Sequence, residues 1–317
     1  MHHPDHLPPP ASCRRCRPSR RTRRRSRGDH RHPPHPARPG RTVPQTLGLA
    51  ARRGRGQEVP QQRQNTPHRG RLGVNKSTTD RGPLVAVVDS GVAAGHPHLE
   101  GLQLRSFSLE GAGSPLDRRP EASDRTGHGT ACVAALYRAN PRVEVLAIRL
   151  LDEELRTTAE AVAEAIRVAA DEGAKVINLS LGSGRAESRS LLEEAVLYAR
   201  ERSAHCVAAA HPKGRQLWPA DLPSVISAIS HRSCPLSDLY RVEGPLPRFL
   251  AHGYPRPIEG RPPTANLYGP SFAAIHLSAK VAEILTRDSQ LAFSDIVTCL
   301  EESCSGSWNE TSTHPRS

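Results

Sequence analysis

The chain carries an aspartate, a histidine and a serine in three short motifs, and these are residue types of nucleophilic acyl transfer. Asp89 follows the run Leu84-Val-Ala-Val-Val88 and opens Asp89-Ser-Gly91. His128 lies in Asp124-Arg-Thr-Gly-His128-Gly-Thr-Ala-Cys132, and Ser271 lies in Tyr268-Gly-Pro-Ser271-Phe-Ala-Ala-Ile-His276. A serine hydroxyl is a poor nucleophile at neutral pH and needs a base to take its proton as it attacks a carbonyl. Histidine titrates near neutrality and can take that proton, then return it to a leaving amine. An aspartate behind the imidazole fixes its tautomer and stabilises the imidazolium. Taken singly, Asp-Ser-Gly is most often a turn and Gly-His-Gly a loop. The joint set, in one order, is the informative signal. The glycines around His128 allow close backbone approach, and Gly269 is expected to give a tight turn into a helix beginning at Ser271.

Elements that alternate along the chain must position these residues. Leu84–Val88 reads as a buried parallel strand, as do Val143–Leu150, Val176–Ser180, Cys206–Ala210 and Val225–Ile229. Thr157-Thr-Ala-Glu160 has the pattern of a capping box, predicting a helix through Ala169 that stops at Gly173. Leu191–Arg202 and Ser271–Arg287 read as further helices. Strands alternating with helices imply an α/β fold with a mainly parallel sheet covered on both faces. In such sheets the working residues gather at the carboxyl ends of the strands, where Asp89, Ser180 and Ala210–His211 all fall.

Charge is divided unevenly along the 317 residues. The net charge is +12, but residues 1–80 hold 19 Lys/Arg against four acids, and the remainder is slightly acidic. Residues 1–80 also hold 12 of the 29 prolines and almost no periodic apolar positions, so a disordered basic tail is expected there. Cys13 and Cys16 have zinc-ligand spacing without a matching second pair. The Arg-rich block leaves weak contact with nucleic acid or acidic surfaces open as a role for the tail. Residues 81–305 are enough for one folded domain, and 306–317 read as a flexible C-terminus. No run of 18 apolar residues and no secretory leader is visible in the chain as written, so no membrane partner and a cytoplasmic location are expected. Seven cysteines spread over this length do not form a disulfide framework.

The order Asp, His, Ser and the motifs around these residues resemble the subtilisin-like serine protease family, peptidase S8. The resemblance extends over most of 83–302. It includes Val176-Ile-Asn-Leu-Ser-Leu-Gly182, Trp218-Pro-Ala-Asp-Leu-Pro-Ser-Val-Ile226 and Phe249-Leu-Ala-His-Gly253. It implies a three-layer αβα subtilisin-like fold and a serine endopeptidase with Asp89, His128 and Ser271 as the catalytic triad. It further implies that Ser180, Leu181 and Gly182 pair with a polypeptide substrate as an added strand. The Ser271 backbone N–H would be one oxyanion donor. The resemblance requires no cofactor for catalysis; structural calcium stays open and unassigned, since no dense carboxylate loop stands out.

The chain departs from the family pattern where Ala-Ala-Gly-Asn is usual. It reads Ala208-Ala-Ala-His211-Pro212-Lys213-Gly214. Proline has no N–H and no side-chain donor, which leaves His211 or Lys213 to reach in as the second oxyanion group, and His211 is the candidate. Loss of one such donor costs about 10²–10³ in turnover, so a slow enzyme is expected. The alternative is a catalytically weak relative that binds peptides or acts as an accessory protein. Pro270 and Ile275 also replace usual Thr and Pro, and His98 replaces an Asp. Cys132 stands one helical turn beyond His128. Finally, Asp152-Glu-Glu154 reads as a solvated turn whose acids favour the N-terminus of the helix capped at Thr157 or, with Asp124, as a cleft wall that attracts basic side chains of substrate.

Overall fold

The apolar run at the first motif folds as β1 (Leu84–Asp89), and every residue of it after Leu84 is buried. Successive strand side chains point to opposite faces. Val85 and Val87 enter one core, while Ala86 and Val88 enter the other. The structure is a computed structural model that describes residues 81–111, 115–211 and 213–309. The expected tail over 1–80 and the oxyanion position Pro212 lie outside the described residues.

The remaining strands are β2 (Leu104–Glu110), β3 (Asp117–Arg119), β4 (Glu144–Arg149), β5 (Val176–Leu179), β6 (His205–Ala209), β7 (Ile226–His231), β8 (Tyr240–Val242), β9 (Arg248–His252) and β10 (Gly306–Trp308). They form one sheet in the order β10-β8-β9-β7-β6-β5-β1-β4-β2-β3. The pairs from β2 through β4, β1, β5, β6 and β7 to β9 are all parallel; β2–β3 and β8–β9 are antiparallel. The helices are α1 (His128–Ala139), α2 (Ala159–Asp171), α3 (Ser188–Glu201), α4 (Pro270–Arg287) and α5 (Phe293–Glu302). Buried residues of α2 and α3 share one core with Ala86, Val88, Leu146 and Ile148. Buried residues of α1, α4 and α5 share the other with Val85, Val87, Val145 and Ala147. The result is three layers, helix–sheet–helix, as expected. No described helix is long and apolar enough to cross a membrane.

Three local expectations need correction. The cap of α2 is Thr158, whose hydroxyl accepts from Ala161 N–H, one residue later than the box implied. Gly269 is extended, with φ 165°, so it supplies no left-handed turn; Pro270 opens α4 instead, at a position that needs no N–H. Residues 306–308 are not flexible. They add β10 in parallel to β8, and Trp308 is buried with its ring 4.9 Å from that of His231. A single anchored indole does this, with no periodicity to announce it.

Candidate active site

Asp89 ends β1 and His128 begins α1, and two glycines allow their loops to touch. A Cβ on Gly129 would lie 2.2 Å from the Gly91 carbonyl oxygen, and Gly91 itself has φ +107°. A side chain at either position would push the β1 exit away from the first turn of α1. The close approach sets His128 Nδ1 2.7 Å from Asp89 Oδ1, with both side chains buried. The same carboxylate oxygen accepts the Ser90 N–H at 2.7 Å. Burial alone would push the Asp89 carboxyl up, but His128 and the Ser90 N–H hold it below the usual value. Burial likewise favours neutral His128, yet the Asp89 charge outweighs it and raises the imidazole well above its ordinary value. With Nδ1 on Asp89, Nε2 is the buried ring nitrogen without a hydrogen-bond partner.

Ser271 is the second residue of α4 and is buried. Its Oγ donates to the Ser180 carbonyl at 3.4 Å rather than to His128. Phe272, which follows it, packs against the imidazole with ring centroids 5.3 Å apart. Ser180 also reaches the histidine side, since its Oγ lies 3.9 Å from Cys132 Sγ, itself 4.0 Å from His128 Nδ1. Cys132 is fully buried, and that burial pushes its thiol pKa up.

Behind this group runs a buried polar chain that sequence reading missed. Ser278 of α4 donates to Asn178 Oδ1 at 3.0 Å, and Asn178 Nδ2 donates to Ser180 Oγ at 3.0 Å. Both Asn178 and Ser278 are fully buried. Asn178 is a polar residue inside an otherwise apolar central strand, and that was its available signal, because a buried amide survives only with partners.

The expected substrate strand is Ser180 to Gly182, directly after β5. Ser180 and Leu181 are buried. Ser183 forms an antiparallel bridge to Trp218, with N–H to O distances of 2.7 and 2.8 Å in the two directions. Strand alternation therefore turns the backbone groups of Gly182 and Gly184 to the opposite edge. His211 does not join the triad through any described hydrogen bond. The Lys213 N–H lies 3.1 Å from its Nδ1, and the Arg215 guanidinium lies 2.8 Å from its Nε2.

The acids expected to face substrate are engaged within the protein. Asp124 caps α1 from outside the helix. Its Oδ1 accepts the N–H groups of Thr126 and Gly127 at 3.0 and 2.9 Å, and its Oδ2 accepts the Thr130 N–H and hydroxyl at 2.8 and 2.6 Å. It also accepts the Ser90 hydroxyl at 3.0 Å, tying the cap to β1. Asp152 and Glu154 pair with Arg156, and Glu153 pairs with Arg125. Arg125, Asp152, Glu153 and Glu154 border a cavity of about 640 Å³ beside Ser90, which Glu110 and Arg149 also line as an ion pair.

Among the described residues, one grouping has three candidate metal-ligand atoms within 4.8 Å: Asp89, His128 and Cys132. Nitrogen, sulfur and one carboxylate oxygen do not suit calcium, which takes six to eight oxygens. The grouping is the aspartate–histidine pair with the thiol beneath it.

The layered parallel sheet, the aspartate–histidine pair at its carboxyl edge and the serine at the start of α4 together define the subtilisin-like class of α/β proteins. The sequence profile of the Subtilase family matches residues 80–305, and the chain belongs to that family. It is similar to thermitase of Thermoactinomyces vulgaris, 35% identical over 161 residues, which are 47% of this chain and 55% of that protein. It is also similar to the thermophilic serine proteinase of Bacillus sp. (strain AK1), 35% identical over 158 residues, covering 46% and 37% of the two chains. The chain thus spans about half, or less, of the length of these relatives. A cold-adapted subtilisin-like serine proteinase has the same fold, with TM-score 0.56 and 22% identity, covering 75% of this chain and 92% of that one.

Proposed function

We propose that this chain is a serine endopeptidase that hydrolyses polypeptides through an acyl-enzyme on Ser271. The observation that carries the reading is the buried Asp89–His128 pair at 2.7 Å, with Nε2 left open beside the start of α4. In the proposed reaction Ser271 Oγ attacks the scissile carbonyl carbon as His128 Nε2 takes its proton. The C–N bond then breaks, and the same proton passes to the leaving amine. Water repeats the sequence on the ester and frees the acid and the serine. Asp89 keeps Nδ1–H in place and offsets the charge that appears on the ring. A peptide laid against the free edge at Gly182 would bring its carbonyl to Ser271 by β-augmentation.

The oxyanion would be held chiefly by the Ser271 N–H at the start of α4, since Pro270 has no N–H and the Phe272 N–H already donates to the Gly269 carbonyl at 3.1 Å. His211 would have to give up a contact to Lys213 or Arg215 before it could donate there. That favours slow turnover. The Ser271–Ser180 hydrogen bond favours it too, because the hydroxyl must turn to His128 before it can react. Ser271→Ala should lower peptide hydrolysis by at least about 10³-fold and abolish covalent labelling by a fluorophosphonate, with the melting temperature unchanged. Hydrolysis at the wild-type rate in that variant would refute the assignment. A wild-type protein that binds peptide yet neither cuts nor labels would establish the weak, peptide-binding relative instead.

A further inference from the structure

The carboxyl edge of the sheet continues past the triad, and one cation there is held ready without a carboxylate. Arg232 follows β7 directly and is exposed. Its Nη1 donates to the Tyr254 hydroxyl at 3.0 Å, and its guanidinium lies 4.3 Å from the centroid of the Tyr268 ring. Tyr254 is buried, and its ring packs on Tyr268 with centroids 4.9 Å apart. Tyr268 in turn lies so close to Gly253 that a Cβ there would be 2.5 Å from the ring. The Gly269 N–H donates to the Gly253 carbonyl at 2.9 Å. Ser271 is two residues further on. Among the described residues Arg232 makes no ion pair, and one hydrogen bond leaves most of its five donors facing solvent.

The position of this arginine relative to Ser271 gives it a direction. A peptide paired along 180–184 occupies the β5 flank of the serine with its acyl half. The two halves of a substrate extend on opposite sides of the attacked carbonyl, so the amine half passes over the other flank. Tyr268 and Gly253 lead into Ser271 through Gly269, and the Arg232 guanidinium stacks on Tyr268, which assigns these residues to that flank.

We propose that Arg232, oriented by Tyr254 and Tyr268, binds a carboxylate on the leaving-group side of the substrate, so that peptides with Asp or Glu shortly after the cut bond are preferred. This rests on the endopeptidase reading and adds a substrate class to it. A planar fork stacked on one ring and tied to a second hydroxyl has little side-chain freedom left to lose, which suits it to carboxylate recognition. The pairing adds no step to the reaction; it holds the amine half while the acyl-enzyme forms.

Two measurements test the proposal. In the first, wild type and Arg232→Gln digest a proteome-derived peptide library, and mass spectrometry reads the residues after each cut. Wild type should enrich Asp and Glu about tenfold over Gln at one position within the first three. That is the size of one charge-assisted hydrogen bond, and the glutamine variant should erase the enrichment. Tyr254→Phe should weaken it, and Arg232→Lys should restore part of it. Cutting with no acidic enrichment overturns the clamp and leaves the peptidase reading standing. In the second, fluorescence anisotropy follows labelled Ala-Glu-Ala-Glu and Ala-Gln-Ala-Gln binding to Ser271→Ala protein. Tighter binding of the acidic peptide by about tenfold, lost in Arg232→Gln, supports the clamp even if wild type cuts nothing, and in that case only the peptidase reading fails. Equal binding of the two peptides, or binding of neither, overturns the clamp.

Discussion

At and beyond the ends of β1, β2 and β4 the rim of the sheet presents Glu110, Asp124, Asp152, Glu153 and Glu154; beyond β6, β7 and β9 it presents Lys213, Arg215, Arg232 and Arg256. By sequence the first rim looks like a trap for basic substrates. In the folded protein each of its acids already has a partner: Arg149 for Glu110, the α1 amides for Asp124, Arg156 for Asp152 and Glu154, and Arg125 for Glu153. On the second rim no arginine or lysine of those four makes an ion pair among the described residues, and Arg232 is held by two tyrosines. Recognition depends on the charge left over after internal pairing, not on the number of charged residues in a segment.

The strongest way to break this contrast is to remove the acid that is most engaged. Asp124→Ala strips the acceptors from the first turn of α1 and from Ser90, leaving several N–H groups without partners. A lost helix cap plus orphaned donors should cost about 2–4 kcal/mol in urea unfolding. Because the same turn carries His128, kcat/KM should fall by about 10²-fold through misplacement of the base. A loss of under about 1 kcal/mol, with normal turnover, would mean that Asp124 is not a structural cap and stands free to bind substrate.

A pH profile sharpens the contrast by separating a buried charge pair from an exposed cation. Only neutral His128 can accept the serine proton. Asp89 raises its pKa well above 6.5 despite burial, so the acid limb of kcat/KM should have its midpoint above pH 6.5. Below that midpoint the rate should drop about tenfold per pH unit. Added salt should leave the midpoint nearly unchanged, because the pair is buried. The same salt should erode the preference for acidic leaving-side residues, because Arg232 is exposed. A midpoint below 6.5 would show that burial, not Asp89, dominates at His128.

Much of this was legible in the sequence, and the residues show why the rest was not. β1, β4, β5 and β6 were readable because their apolar runs end at turn residues and both of their faces are buried, and α4 because its apolar run follows Gly269-Pro270. The three triad candidates were readable because each stands in a motif at a strand end or helix start. Of α1 only the first turn, His128 to Cys132, was legible, because of its glycine-flanked start and alanine-rich body, and β10 was hidden by its length of three residues. Asn178 and Arg232 were hidden for a different reason. Their roles depend on Ser278, Tyr254 and Tyr268, and only the fold brings those residues to them. The partners of the acidic triplet were hidden because Arg125 and Arg156 look in sequence like ordinary surface charges.

The smallest effect decides whether the first rim retains any recognition at all. Glu153 and Glu154 are both more than half exposed, and their pairs with Arg125 and Arg156 are surface ion pairs. Such pairs contribute about 0–1 kcal/mol, and their fields are screened within about 8 Å at physiological salt. Each carboxylate also faces a guanidinium at 2.7 Å, which cancels most of its charge as seen by an approaching lysine. Glu153→Gln and Glu154→Gln should therefore change stability by less than about 0.5 kcal/mol. The proportion of Lys and Arg upstream of the cut in a peptide-library digest should shift less than about twofold. A digest rich in upstream Lys and Arg in wild type, and depleted about tenfold by Glu153→Gln, would give the opposite result. It would mean that substrate displaces Arg125 from Glu153, and the first rim would then be a second recognition surface opposite Arg232.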